Sequence, residues 1–105
     1  MIKAELFVKD KKIVGFHLTG HSGMEEYGKD VLCAFVSSAA YMTANTITDI
    51  INADAQASAD DGDMYLMVSD KHADRCSDIL SGFRLHLINT QEQYPKYLKV
   101  IFTEV

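Results

Sequence analysis

Gly20-His21-Ser22-Gly23-Met24-Glu25-Glu26-Tyr27-Gly28-Lys29-Asp30-Val31-Leu32-Cys33-Ala34-Phe35-Val36-Ser37 is the stretch on which the reading of this chain turns. What precedes it alternates like strand, and Val31 to Ile51 reads as a helix, so the segment is a glycine-rich crossing from one to the other. It carries a histidine at one end and a cysteine at the other, a combination that few structural needs explain. Asp30 is a preferred N-cap type immediately before a long apolar run, which predicts Cys33 at the third helical position. A sulfur there would lie near unsatisfied backbone N–H groups and the positive end of the helix dipole, where thiolate is favoured over thiol. Gly20, Gly23 and Gly28 supply the backbone freedom to fold His21 back toward Cys33. Eleven residues separate the two; such a segment reaches up to ~40 Å when extended, so spacing alone neither forces nor forbids contact.

Toward the amino terminus, Ile2, Ala4, Leu6 and Val8 alternate with Lys3, Glu5, Phe7 and Lys9, the period of a half-buried strand. After the polar break at Asp10-Lys11-Lys12, Ile13 to Thr19 forms a second strand with Val14, Phe16 and Leu18 on one side, and a hairpin joins the two. His17 falls on the opposite side as an edge or surface residue. The Met24-Glu25-Glu26-Tyr27 segment, flanked by glycines, reads as a loop that connects strand to helix.

Toward the carboxyl terminus the helix from Val31 is apolar almost all round, which predicts that it is buried rather than amphipathic. Ser37 stands one turn after Cys33 on the same face, within reach of the thiol. Asp60-Asp61-Gly62-Asp63 is a hairpin turn between strands near Gln56–Ala59 and Met64–Ser69, and it lacks the spacing and terminal Glu of a calcium loop. His72 to Gln93 is a second helix with Ala73, Cys76, Ile79, Leu80, Phe83, Leu87 and Thr90 as its apolar stripe; Cys76 on that stripe is a small hydrophobe. His72 and His86 lack partners at zinc-ligand spacing. Pro95 ends the helical region, and Tyr97 to Val105 is a closing strand.

With 105 residues, 48% hydrophobic and one proline, the chain is expected to be a single domain over residues 1–105 with a modest core. The pattern is that of an α+β fold: a two-layer domain of about five mainly antiparallel strands with two helices on one face. Strand order does not follow from it. No continuous apolar run approaches ~18 residues and no signal-like amino terminus is seen, so the expected location is cytoplasmic. Cysteines at 33 and 76 in that setting argue against a disulfide framework. A net charge of −5 leaves no basic footprint for nucleic acid and suits a basic polypeptide partner.

Gly20-His21-Ser22-Gly23, Glu26-Tyr27-Gly28-Lys29-Asp30, and Cys33-Ala34 followed by Val36-Ser37 resemble the signature of the ribosomal-processing cysteine protease (Prp) family. The resemblance spans nearly the whole chain; Leu32 and Phe35 depart from the residues usual in that family. It implies a Cys–His endopeptidase that removes the N-terminal extension of a large-subunit ribosomal protein, as a homodimer, without metal or other cofactor. Cys33 and His21 would be the catalytic pair. Asp30 and Ser37 would support them, and Gly20, Gly23, Glu26, Tyr27 and Gly28 would shape a loop that closes over bound peptide. Backbone N–H groups at the helix start would hold the oxyanion. Two other readings of the same residues stand beside it: a redox-sensing thiol at Cys33, and a non-enzymatic ribosome-associated binding module.

Overall fold

Alternation of period two puts Ile2, Ala4 and Leu6 on one face of the first strand, and that face is where the core forms. In the structure, a computed structural model that describes residues 1–20 and 26–105, with side chains for 1–20 and 31–105, β1 (Ile2–Lys9) and β2 (Lys12–Gly20) form an antiparallel hairpin. Asp10 and Lys11 at its tip both have positive φ, 52° and 66°, the backbone signature of the tight turns that match strand twist. There follow α1 (Glu26–Asn45), a π turn (Thr46–Ile50), β3 (Ala55–Asp60), β4 (Asp63–Val68), two 3-10 turns (Asp70–His72 and Asp74–Cys76), α2 (Ser77–Gln93) and β5 (Leu98–Glu104). The five strands lie in the order β3-β4-β2-β1-β5. Among the described residues only β1 and β5 pair in parallel; every other pair is antiparallel. This is the expected α+β architecture.

One face of the sheet carries both helices. Ala4 lies opposite Leu18, Leu6 opposite Phe16, Phe16 opposite Leu66 and Leu18 opposite Met64, so the buried side chains run across the strands in rows. Onto these rows α1 lays Leu32, Val36 and Ala40, and α2 lays Leu80, Phe83 and Leu87, all within a single core cluster. The Phe16 and Phe83 rings meet at 4.7 Å between centroids, tilted by 56°, at the junction of sheet and α2.

A break of register between Phe7 and Val8 alters one expectation. Phe7 pairs with Gly15 and Val8 with Ile13, leaving Val14 as the extra residue of a bulge. Ile13 therefore joins Phe16 and Leu18 in the core cluster, in place of Val14, which is buried outside it.

The first helix departs further from expectation. It begins at Glu26 rather than Val31, so Glu26, Tyr27 and Gly28 belong to its opening residues and not to a loop, and Asp30 is an interior residue and not its N-cap. It is also not buried all round: Val31, Phe35, Tyr41 and Met42 are exposed, as is Ile50 in the π turn that follows. A two-layer fold offers a helix one partner surface, so one stripe is covered and the outer stripe is left to solvent. By length and composition alone, Val31–Ile50 is long and apolar enough to cross a membrane, although serines, threonines, an asparagine and an aspartate interrupt it and no continuous apolar run approaches that length. Here it serves as a core helix of a two-layer domain.

Near the end of α1, Thr43, Thr46 and Thr48 each donate a hydroxyl to the carbonyl four residues back, at 2.7–3.1 Å. Such back-bonding competes with the main-chain ladder, and the helix passes into the π turn. The second helix starts later than its apolar stripe suggests, at Ser77 rather than His72. The preceding residues are tied to the chain after α1: Asp54 N–H donates to His72 Nδ1 at 2.7 Å, and Arg75 Nη2 donates to the Ile51 carbonyl at 2.6 Å. These ties hold two separate 3-10 turns in place of a continuous helix.

Candidate active site

Leu32, Val36 and Ala40 face the sheet, and Cys33, Ser37 and Tyr41 stand beside them at intervals of four on the adjoining face of α1. That face looks onto a cleft of about 330 Å³. Its walls are Cys33, Val36, Ser37 and Tyr41 of α1, Leu18, Thr19 and Gly20 at the end of β2, and the turn of the β3–β4 hairpin. Cys33 and Ser37 are partly buried, and Tyr41 is exposed.

Gly20 has φ +89°, and a Cβ on it would lie 2.5 Å from the Met1 carbonyl oxygen. Both the backbone conformation and the close approach demand glycine. Its N–H donates to the Gly62 carbonyl at 3.0 Å, which clips the end of β2 to the hairpin turn. The turn itself depends on Gly62, at φ 71°. Asp60, Asp61 and Asp63 are exposed around it and line the cleft opposite Cys33. Asp63 Oδ1 is 2.8 Å from His17 Nε2 across the strand pair, so His17, expected to be an edge residue with no role, contacts a wall of the cleft.

Of the residues singled out from sequence, the structure therefore brings Cys33, Ser37 and Gly20 to one cleft. His21 and Gly23 lie outside the described residues, as do the side chains of Glu26, Tyr27 and Asp30. The helix-start argument for the thiol is overturned. Cys33 lies two turns into α1, and the influence of a helix terminus is confined to its first turn. Main-chain N–H groups at this depth are engaged in the helical ladder, so the start of α1 does not supply oxyanion donors beside the sulfur. Cys76 behaves as expected: it is fully buried, and burial raises its thiol pKa, an effect that Arg75 partly offsets. Sequence reasoning missed the acidic hairpin and Tyr41. The turn was legible, but its place at the cleft depends on β4 lying next to β2, which local pattern does not encode.

The family model for cysteine protease Prp matches residues 1–99. The chain belongs to that cysteine protease family. Over 103 residues, covering 95% of this chain and 97% of the relative, it is 25% identical to the ribosomal processing cysteine protease Prp of Staphylococcus aureus. Among solved structures it resembles the essential ribosomal processing protease Prp of Staphylococcus aureus with a covalently linked product peptide, at a TM-score of 0.87 and 24% identity. The same protease with a substrate peptide gives 0.85 and 24%. In both cases 98% of this chain and 100% of the other are covered. A Streptococcus mutans protein gives 0.80 at 23% identity, covering 100% of this chain and 96% of that one. These structures share the fold of this member of the Prp family.

Proposed function

We propose that this cysteine protease of the Prp family removes the N-terminal extension of a large-subunit ribosomal protein, with Cys33 as nucleophile and His21 as its general acid and base. The observation that carries the reading is the cleft: Cys33 lines it together with Gly20, the residue to which His21 is joined. The curated Staphylococcus aureus relative is a ribosomal processing protease, which supports the substrate class.

In the proposed mechanism the Cys33 sulfur, its proton taken by His21, attacks the scissile carbonyl carbon. The resulting tetrahedral species collapses with cleavage of the C–N bond as His21 returns the proton to the leaving amine. His21 then takes a proton from water, whose oxygen attacks the thioester. The product carboxylic acid leaves and the thiol is restored. Since the helix start does not activate the sulfur, that task falls to His21. Asp30, three residues before Cys33, and Ser37, one turn after it, support the pair, and the segment with Gly23, Glu26, Tyr27 and Gly28 shapes access to it. The protein is proposed to act in the cytoplasm without binding nucleic acid directly, in keeping with its net charge of −5. It is proposed to act as a homodimer, in keeping with the exposed Val31, Phe35 and Met42 of α1 and Leu85 of α2.

Mass spectrometry of a peptide copying the ribosomal extension, after incubation with the protein, tests this. Cleavage at one bond is expected, abolished in Cys33→Ala and reduced about 10²- to 10⁴-fold in His21→Ala. Cleavage that survives Cys33→Ala would overturn the assignment.

A further inference from the structure

The sheet has two edges, and they are treated differently. At the β5 edge, the Val100 N–H donates to Gln91 Oε1 of α2 at 2.6 Å, so a side chain covers a backbone donor there. At the other edge, β3 pairs only with β4 among the described residues. The phase of that pairing tells which groups of β3 face outward. A two-residue turn makes its closing pair, Asp60 and Asp63, a mutually hydrogen-bonded one. The same phase holds six residues away, where Ser69 N–H donates to the Asp54 carbonyl at 2.9 Å. The residues between, Ala55, Ala57 and Ala59, therefore point N–H and C=O away from the sheet. Ala57 and Ala59 are exposed, and Ala55 is partly so. β3 carries no Lys, Arg, Pro or bulge of the kind that blunts a free edge. It runs directly into the cleft, because Ala59 and Asp60 line the cleft together with Cys33.

We propose that the outer edge of β3 is the main-chain docking rail for the substrate: an extended segment of the polypeptide adds to the sheet along Ala55, Ala57 and Ala59, next to Cys33. This rests on the protease reading and deepens it. The span from Ala55 to Ala59 is ~13 Å at ~3.3 Å per residue, enough to engage alternate residues of a five-residue stretch. The methyl side chains of the three alanines leave room at the edge, and recognition through main-chain groups fixes the peptide extended, the form in which its scissile bond is open to attack.

The test uses the full chain and a fluorogenic peptide copying the ribosomal extension, together with copies methylated at one backbone nitrogen at a time. On one side of the cut, kcat/KM is expected to fall about tenfold at every second position and little at those between, since each methyl removes one hydrogen bond. A flat profile, or equal losses at all positions, overturns the rail while leaving Cys33-dependent cleavage intact. If the unmodified peptide is not cut, the protease reading falls and the rail with it. Ala57→Pro removes an outward N–H without touching the β3–β4 ladder and is expected to lower kcat/KM about tenfold. A change of association state in that variant with kcat/KM unchanged would give the edge to a second copy of the chain and overturn the proposal.

Discussion

Cys33 and Cys76 are the same side chain in two surroundings, and their chemistry should differ accordingly. Cys33 lines an open cleft, whereas Cys76 is fully buried with its ionisation disfavoured by that burial. Iodoacetamide at pH 7 is expected to alkylate Cys33 at least about 100-fold faster than Cys76 in the native protein, since attack requires an accessible thiolate. Loss of peptide cleavage should track the faster reaction. In denaturant the two rates should converge, and equal native rates, followed by mass spectrometry, would refute the contrast. Burial of Cys76 also sets a sign for pH dependence. Its raised pKa favours the folded state fully below the ordinary thiol value of about 8.5, and that preference is lost as pH rises toward the raised one.

Elements of this fold were legible where one local rule decided them. Alternation located β1 and β2, the Asp-Gly dipeptide located the β3–β4 turn, and the stripe from Ala73 to Thr90 located α2, though not its start. The same rules failed where distant contacts prevailed. The bulge at Val14 shifts which residue faces the core, the ties from His72 and Arg75 delay α2, and α1 begins one turn and more before Asp30. Gly20 and Cys33 were readable as members of one motif, but the geometry at Cys33 was not, because a cap residue type does not fix where a helix starts. Gly20 is where element and site meet. Its positive φ, its approach to Met1 and its bond to Gly62 hold the end of β2 in the cleft wall. Gly20→Ala is expected to destabilise the protein by about 1–3 kcal/mol, read as a lower urea midpoint at an unchanged slope. An unshifted midpoint would show that the conformation at Gly20 is not held as tightly as its contacts require.

Across the whole molecule, charge and topology act together. Placing β4 next to β2 swings the acidic turn of the hairpin to the cleft, so part of the net charge of −5 is concentrated at the proposed entrance for substrate. A field of that sign raises the local concentration of a basic polypeptide and is screened by salt over ~10 Å at 0.1 M but only ~3 Å at 1 M. For a substrate peptide carrying lysines beside the cut, kcat/KM is therefore expected to fall about 3- to 10-fold between those two salt concentrations, chiefly through KM. A copy with the lysines replaced by glutamine should show little change. The triple substitution Asp60→Asn, Asp61→Asn and Asp63→Asn should flatten the dependence for the basic peptide. These aspartates are exposed, and the main partner lost is His17 at Asp63, so the fold is expected to survive, as circular dichroism would verify. A salt response that persists in the triple variant would place the steering charge elsewhere on the surface and leave the hairpin with only its structural part in the cleft wall.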